Sequence, residues 1–452
     1  MEQNKIKSKL LRNLGANAYG QFITVAIQIA SLPLFLHYWG VELYGEWLIL
    51  SAIPAYLSLS DIGFASVAAN DMTIRVANGD NQGALEVYQS IWIFICIVST
   101  LVGCLLAFFI YIYPLDVLFS IRHISVLNTK QTLFVLVLYV LFSLQSGVLS
   151  AAFRSVGRYA YGSVMNNTIR FVEWLLSLLA LVLGGGVLIL ATTILLVRLS
   201  GLIVMWYVLR KQVPWLRLGF EVASLKIIKE LRNPAVAFMA FPLGLALSLQ
   251  GIVLAIGILL GSAAVVMFSA YRTLTRILVQ VITMINQAIW PEVSSVYGEG
   301  KLDIIFLIHR KGSSITFWLA LFAIITLGFS AEWIIEIWTH HTLEQNYTLL
   351  FLLLVTTFLN VQWQTSWVVL MATNQHQKIS IIFIVSSVCG LILSILVMPL
   401  IGLNGVGLAL IIAEIPMLYL AIDSTLVILG DNWKDYLKSV ISNPINIHSV
   451  KL

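Results

Sequence analysis

Charge is scarce in this chain. Asp, Glu, Lys and Arg make up 10% of its 452 residues, against 60% hydrophobic residues and a mean hydropathy of +0.94. So few polar side chains cannot clothe a water-soluble globule, and that class is excluded. Cysteine is scarcer still. Cys96, Cys104 and Cys389 all fall inside apolar runs, which excludes a disulfide framework and a thiolate metal site. Catalytic signatures are missing too: there is no Walker A loop, zinc-binding HExxH, nucleotide glycine fingerprint or nucleophile elbow. The seven histidines lie at the ends of apolar runs, in loops or in the tail. No enzyme activity, metal, cofactor or nucleic-acid partner is expected.

What is present is a series of long apolar runs. A bilayer crossing takes about 20 apolar residues. Twelve runs qualify: 15–38, 42–68, 88–113, 131–153, 162–183, 186–209, 235–259, 263–293, 313–338, 347–372, 379–400 and 404–429. The expected fold is an all-α polytopic membrane protein of about twelve transmembrane helices. The stretch Met1 to Arg12 is polar and basic, and the run after it is too long for a cleaved signal peptide, so it should stay as an anchor. Lys and Arg decide orientation. With the N-terminus inside, twenty of the 26 fall in inner segments. Only Arg122 and Lys130 fall outside, and Arg170, Arg198, Arg272 and Arg276 lie within spans. Both termini are therefore expected in the cytosol. A basic connector, 211–234, divides the spans six and six, giving halves at 1–210 and 235–430 and a cytosolic tail at 431–452. Six spans per half place the halves in the same membrane orientation. The connector's amphipathic piece, Ser224 to Arg232, suits anionic headgroups, making membrane lipids an expected partner.

The run from Ser262 to Trp290 is the most informative. At about 100° per residue, Arg272 and Arg276 lie about 40° apart, and Ser269, Thr275, Gln280, Thr283, Asn286 and Gln287 share their face. An arginine in the membrane centre costs about 2.5–3.5 kcal/mol on insertion scales, so it is expected to be paired or to face water. Arg272 lies about 15 Å into its helix, near the midplane, and Arg198 lies at similar depth. Arg170 is nearer the inner mouth, with Glu173 three residues on as a potential partner. Among the acids, Asp61 and Glu292 sit toward inner ends and Glu414 is deep. Glu414 could pair with Arg198 or Arg272, or carry a coupling proton. Asp61, Glu414, Arg170 and Glu173 are the candidates for gating or ion coupling, with H+ or Na+ as the ion.

Two further stripes are polar. In the first span Asn13, Asn17, Gln21, Thr24 and Gln28 share a face; in the tenth, Asn360, Trp363, Gln364 and Trp367 do. Indole faces beside amides suit a sugar. The same residues also serve to bridge helices and fill their packing. Arg198, Arg272, Arg276, Asn360, Trp363, Gln364 and Trp367 are the candidate substrate-binding set.

The N-terminal stretch reads Asn13-Leu-Gly-Ala-Asn17, then Leu34-Phe-Leu-His-Tyr-Trp-Gly40, Val41-Glu-Leu-Tyr44-Gly45-Glu46-Trp47 and Ser58-Leu-Ser-Asp61-Ile-Gly63-Phe64. This pattern resembles the bacterial polysaccharide repeat-unit (O-antigen) flippases of the multidrug/oligosaccharidyl-lipid/polysaccharide exporter superfamily. The resemblance implies two six-helix bundles around a central cavity in the bacterial inner membrane. It implies an undecaprenyl-diphosphate oligosaccharide as substrate, moved from the cytosolic to the periplasmic leaflet, with polysaccharide polymerase machinery as a candidate partner. Two rivals stand beside it. A multidrug antiporter of the same superfamily would want deep carboxylates, which deep arginines here outnumber. A non-transporting assembly partner would not need polar stripes on several helices.

Overall fold

The computed structural model describes residues 2–55, 62–373 and 375–442, and every regular element among them is helical. The first half holds α1 (Glu2–Ala55), α2 (Ile62–Ala77), α3 (Asn81–Ile112), the short α4 (Leu115–Leu118), α5 (Val126–Ser155), α6 (Tyr159–Val182) and α7 (Val187–Gln212). After the connector come α8 (Leu225–Ala246), a π-helical turn (Leu247–Gly251), α9 (Ile252–Leu260), α10 (Ser262–Gly298), α11 (Leu302–Trp338), α12 (Tyr347–Ala372), α13 (Gln377–Ile401), α14 (Leu403–Leu429) and α15 (Trp433–Ile441).

Ten helices among the described residues are long and apolar enough to cross a membrane, against twelve runs read from sequence. Two local causes account for the difference. The first two runs are joined in α1 without a loop: the helix turns at Gly40, whose φ of 72° only glycine adopts without strain, and resumes. The fifth run forms α6, 24 residues long, but Asn166, Asn167, Arg170 and Glu173 dilute its apolar character. Its length of about 36 Å still exceeds a hydrocarbon core.

The chain forms two compact units, Met1–Val265 and Val266–Leu452. The sequence placed the division at the 211–234 connector. Physically, α8 packs on α2 and α3, and α9 packs on α1, so the seventh span belongs with the first unit. One core there joins Met72 of α2, Tyr88 and Ile91 of α3, Phe153 of α5, Met205 of α7, and Ile227 and Leu231 of α8. The connector is pinned rather than loose. The Gln89 amide donates to the Arg217 carbonyl at 3.2 Å and accepts from the Val222 amide at 3.1 Å, while Ser90 Oγ accepts from the Ser224 amide at 2.8 Å.

In the second unit the apolar face of α10 packs on α11 and α12 through Leu278, Ile282, Ala320 and Val361. Helix α14 packs on α12 and α13. Part of the expected tail is the helix α15, which docks on α11. Asp431, just before it, takes two hydrogen bonds from Arg310 at 2.8 and 2.5 Å, and Tyr436 stacks on His309 with centroids 5.2 Å apart.

Candidate functional site

In the first unit, α5, α6 and α7 bring four polar side chains together. On α6, Asn166, Arg170 and Glu173 follow one another at i, i+4 and i+7, so they share a face. Arg198 of α7 meets that face. Its Nε lies 2.6 Å from Glu173 Oε1, and its Nη2 donates to Glu173 Oε2 at 2.8 Å and to the Tyr139 hydroxyl at 3.1 Å. Nη1 donates to Asn166 Oδ1 at 3.2 Å, and Tyr139 donates to Glu173 at 3.1 Å. The guanidinium also lies over the Tyr139 ring, 5.3 Å from its centroid. With side chains 7% and 5% exposed, the Arg198–Glu173 pair is a buried fork.

This arrangement revises two expectations. Glu173 pairs with Arg198 rather than with Arg170, because the guanidinium arriving from α7 meets both carboxylate oxygens, one by a hydrogen bond and one by an ion-pair contact. Arg170 instead donates to Thr24 of α1 at 3.1 Å. Arg198, expected beside Arg272 and Arg276 as a ligand-binding cation, lies in the other unit with both terminal nitrogens hydrogen-bonded to neighbouring side chains. The polar stripe of the first span is likewise used between helices: Tyr159 donates to Asn17 at 2.8 Å, as Arg170 does to Thr24. Tyr139 carried no signal, being one tyrosine in an apolar run. Asn166 did carry one, its heptad spacing from Glu173.

In the second unit the stripe of α10 is present as a helix face. Arg272, Arg276, Ser269, Gln280 and Thr283 are half-buried, Thr275 and Asn286 are buried, and Gln287 is exposed. The Arg272 guanidinium lies 5.0 Å from the centroid of Phe268. From this face a chain of hydrogen bonds crosses to α12 and α14. Thr283 donates to Gln364 Oε1 at 3.3 Å, Gln364 Nε2 to Asn360 Oδ1 at 2.9 Å, and Asn360 Nδ2 to Glu414 Oε1 at 3.0 Å. The other carboxylate oxygen accepts from Trp363 Nε1 at 2.8 Å.

The tenth-span set divides accordingly. Trp363 is 3% exposed and packs edge-on to Trp367, 6.4 Å between centroids, and against Phe383, so it holds the carboxylate and fills the core. Asn360, Gln364 and Trp367 are half-buried. His376, just before α13, stands 6.5 Å from the Trp367 ring, and its burial pushes the imidazole pKa down. Asp61 lies outside the described residues. His309, expected in a loop, is inside α11 and wholly buried, 2.9 Å from Ser366 Oγ. The helix continues below the apolar stretch, where hydropathy has no reach.

No family model matches the chain, and no curated protein matches its sequence. Solved structures do match its fold. An inward-facing multidrug resistance MATE family transporter of the MOP superfamily aligns with 95% of this chain and 96% of its own, with a TM-score of 0.69 and 15% identity. The lipid II flippase MurJ, in an inward closed conformation, aligns with 94% of this chain and 89% of its own, with a TM-score of 0.70 and 13% identity. A MOP superfamily transporter from Pyrococcus furiosus, described by the reverse polarity of its binding pocket, aligns with 94% of this chain and 96% of its own, with a TM-score of 0.61 and 15% identity. The chain thus has the fold that these transporters share.

Proposed function

We propose that the protein is a transporter of this superfamily and a flippase. In this reading it moves an undecaprenyl-diphosphate-linked oligosaccharide, the repeat unit of an O-antigen or other surface polysaccharide, across the bacterial inner membrane by alternating access. The observation that carries the reading is the pair Arg272 and Arg276, half-buried on one face of a membrane helix, with an amide-rich chain beside them. A guanidinium removed from bulk water binds phosphate oxygens bidentately and strongly. Arg272 and Arg276 are assigned the diphosphate and any acidic sugar; Asn360, Gln364 and Trp367 are assigned neutral sugar. Trp363 is a positioning residue that fixes Glu414, and Arg198 holds the first unit together. That a lipid II flippase has the same fold supports a lipid-linked substrate.

The test is replacement of Arg272 and Arg276 by Ala in cells, with protein levels matched. Each lost charge-assisted contact is worth about 1.5–3 kcal/mol, so the double variant should lower surface polysaccharide roughly tenfold or more. Unchanged polymer would remove both arginines from the substrate site. The multidrug reading has its own observation, the deep Glu414. A drug-susceptibility panel in an export-deficient strain separates the two, since resistance conferred by the wild-type chain favours cation export.

A further inference from the structure

The first unit has a cavity of about 240 Å³ that the transport reading does not use. It lies between α3, α5 and α7, and its walls include Trp92, Gln145, Leu202, Ile203 and Trp206. Leu218 of the connector lines it too, and the hydrogen bonds from Gln89 and Ser90 hold that connector in place. It opens sideways: Ile203 is 64% exposed and Trp206 is 43% exposed. All three helices are long and apolar enough to cross a membrane, so a side opening on them faces hydrocarbon. An apolar protein cavity of roughly 150 Å³ already holds a benzene molecule. This one has room for a longer stretch of hydrocarbon.

Charge marks one end of the groove. Along α7, Ile203, Trp206 and Arg210 follow at i, i+3 and i+7 and share a face. Arg210 and Lys211 form the basic last turn of that helix, and both are exposed. Arg210 lies about 10 Å along the axis from Ile203, with the indole of Trp206 between them. Tryptophan favours the boundary between headgroups and hydrocarbon, so the register from apolar groove to indole to cation follows the layers of one leaflet.

We propose that this groove binds one acyl chain of an anionic phospholipid, whose phosphate meets Arg210 and Lys211. Charge complementarity selects the occupant: a zwitterionic lipid fills the groove equally well but offers the cations no net charge. Gln145 is the single amide in the wall, and its Oε1 is buried without a hydrogen bond among the described residues. That atom separates this proposal from a polar small molecule, which would donate to it.

The experiment uses the full-length chain, purified and delipidated in detergent, and native mass spectrometry. Phosphatidylglycerol and phosphatidylcholine of identical chains are titrated separately. One phosphatidylglycerol should be retained at about tenfold lower concentration than phosphatidylcholine, from two cations near the headgroup. Arg210→Glu should abolish that preference while phosphatidylcholine retention stays unchanged. Ile203→Trp fills the groove from α7 and Phe142→Trp fills it from α5; each should lower retention of both lipids, and either variant suffices if the other does not fold. Gln145→Leu should retain phosphatidylglycerol at least as well as wild type. Equal retention of the two lipids, or full retention in the groove-filling variants, overturns the proposal. Loss of binding in Gln145→Leu also overturns it, in favour of a polar ligand.

Discussion

At the scale of single residues, the membrane arginines meet the same physical demand in different ways. Arg198 has two contacts to Glu173, one to Asn166, one to Tyr139, and an aromatic ring beneath it. Removing one partner from such a buried pair leaves an uncompensated charge and costs about 3–5 kcal/mol. Glu173→Ala should therefore lower the melting temperature sharply in a detergent thermal-shift assay. Glu173→Leu combined with Arg198→Met should recover most of the loss, because an apolar pair of similar size needs no counter-charge. A double variant as unstable as the single one would show that the fork does more than neutralise itself. Arg272 and Arg276 were legible in the sequence as one stripe, because helical phase survives folding. The partner of Glu173 was not legible: sequence spacing ranks neighbours within a helix, whereas Arg198 arrives from another.

At the scale of elements, the Leu43-Tyr44-Gly45 segment of α1 acquires a mechanical explanation. Gly40 redirects α1, and the resumed helix then crosses the junction of α9 and α10 at close range. A Cβ at Gly45 would collide with the carbonyl of Ser262, and one at Gly257 would press on Ile49 at 2.7 Å. Glu42 accepts a hydrogen bond from the Ser262 hydroxyl at the same crossing. Gly45→Val should force the two segments apart and cost about 1–3 kcal/mol, the usual penalty of overpacking. Reduced yield of folded protein on fluorescence-detected size exclusion checks it, with Gly15→Val as the control, since no atom lies within 4 Å of a Cβ there. Helix α15 makes the opposite case. Its docking on α11 was invisible in sequence because it depends on Arg310, Asp431 and Tyr436, residues of three segments that no periodicity links. Asp431→Ala should release it, and hydrogen–deuterium exchange should rise across 433–441 while α12 and α14 stay protected. Unchanged exchange there would mean that the His309–Tyr436 stack and the packing of Tyr436 and Val440 on Ile422 and Leu426 suffice without the ion pair.

At the scale of the whole molecule, the distribution of charge along the chain carries an expectation about topology. Lys226 is 82% exposed on its side chain at the start of α8, and Lys211 and Arg210 are exposed at the end of α7. Arg122, in the segment between α4 and α5, is exposed at the other end of α5 from Arg154. A helix of 30 residues is about 45 Å long, more than a hydrocarbon core, so Arg122 and Arg154 belong on opposite sides of the membrane. The excess of Lys and Arg on the Arg154 side leads us to expect that side in the cytosol. The described cysteines, Cys96, Cys104 and Cys389, are all free, so a cysteine-free background needs only three replacements. In that background, Arg122→Cys should react with a membrane-impermeant maleimide on intact cells. Lys226→Cys should react only after the membrane is opened. The reverse pattern would invert the topology and, with it, the direction of transport in the proposed flippase function. Labelling at Arg122→Cys and Lys226→Cys in the same intact cells would place the start of α5 and the start of α8 on one side, which three crossings by α5, α6 and α7 do not permit, and would point instead to a mixed population of orientations.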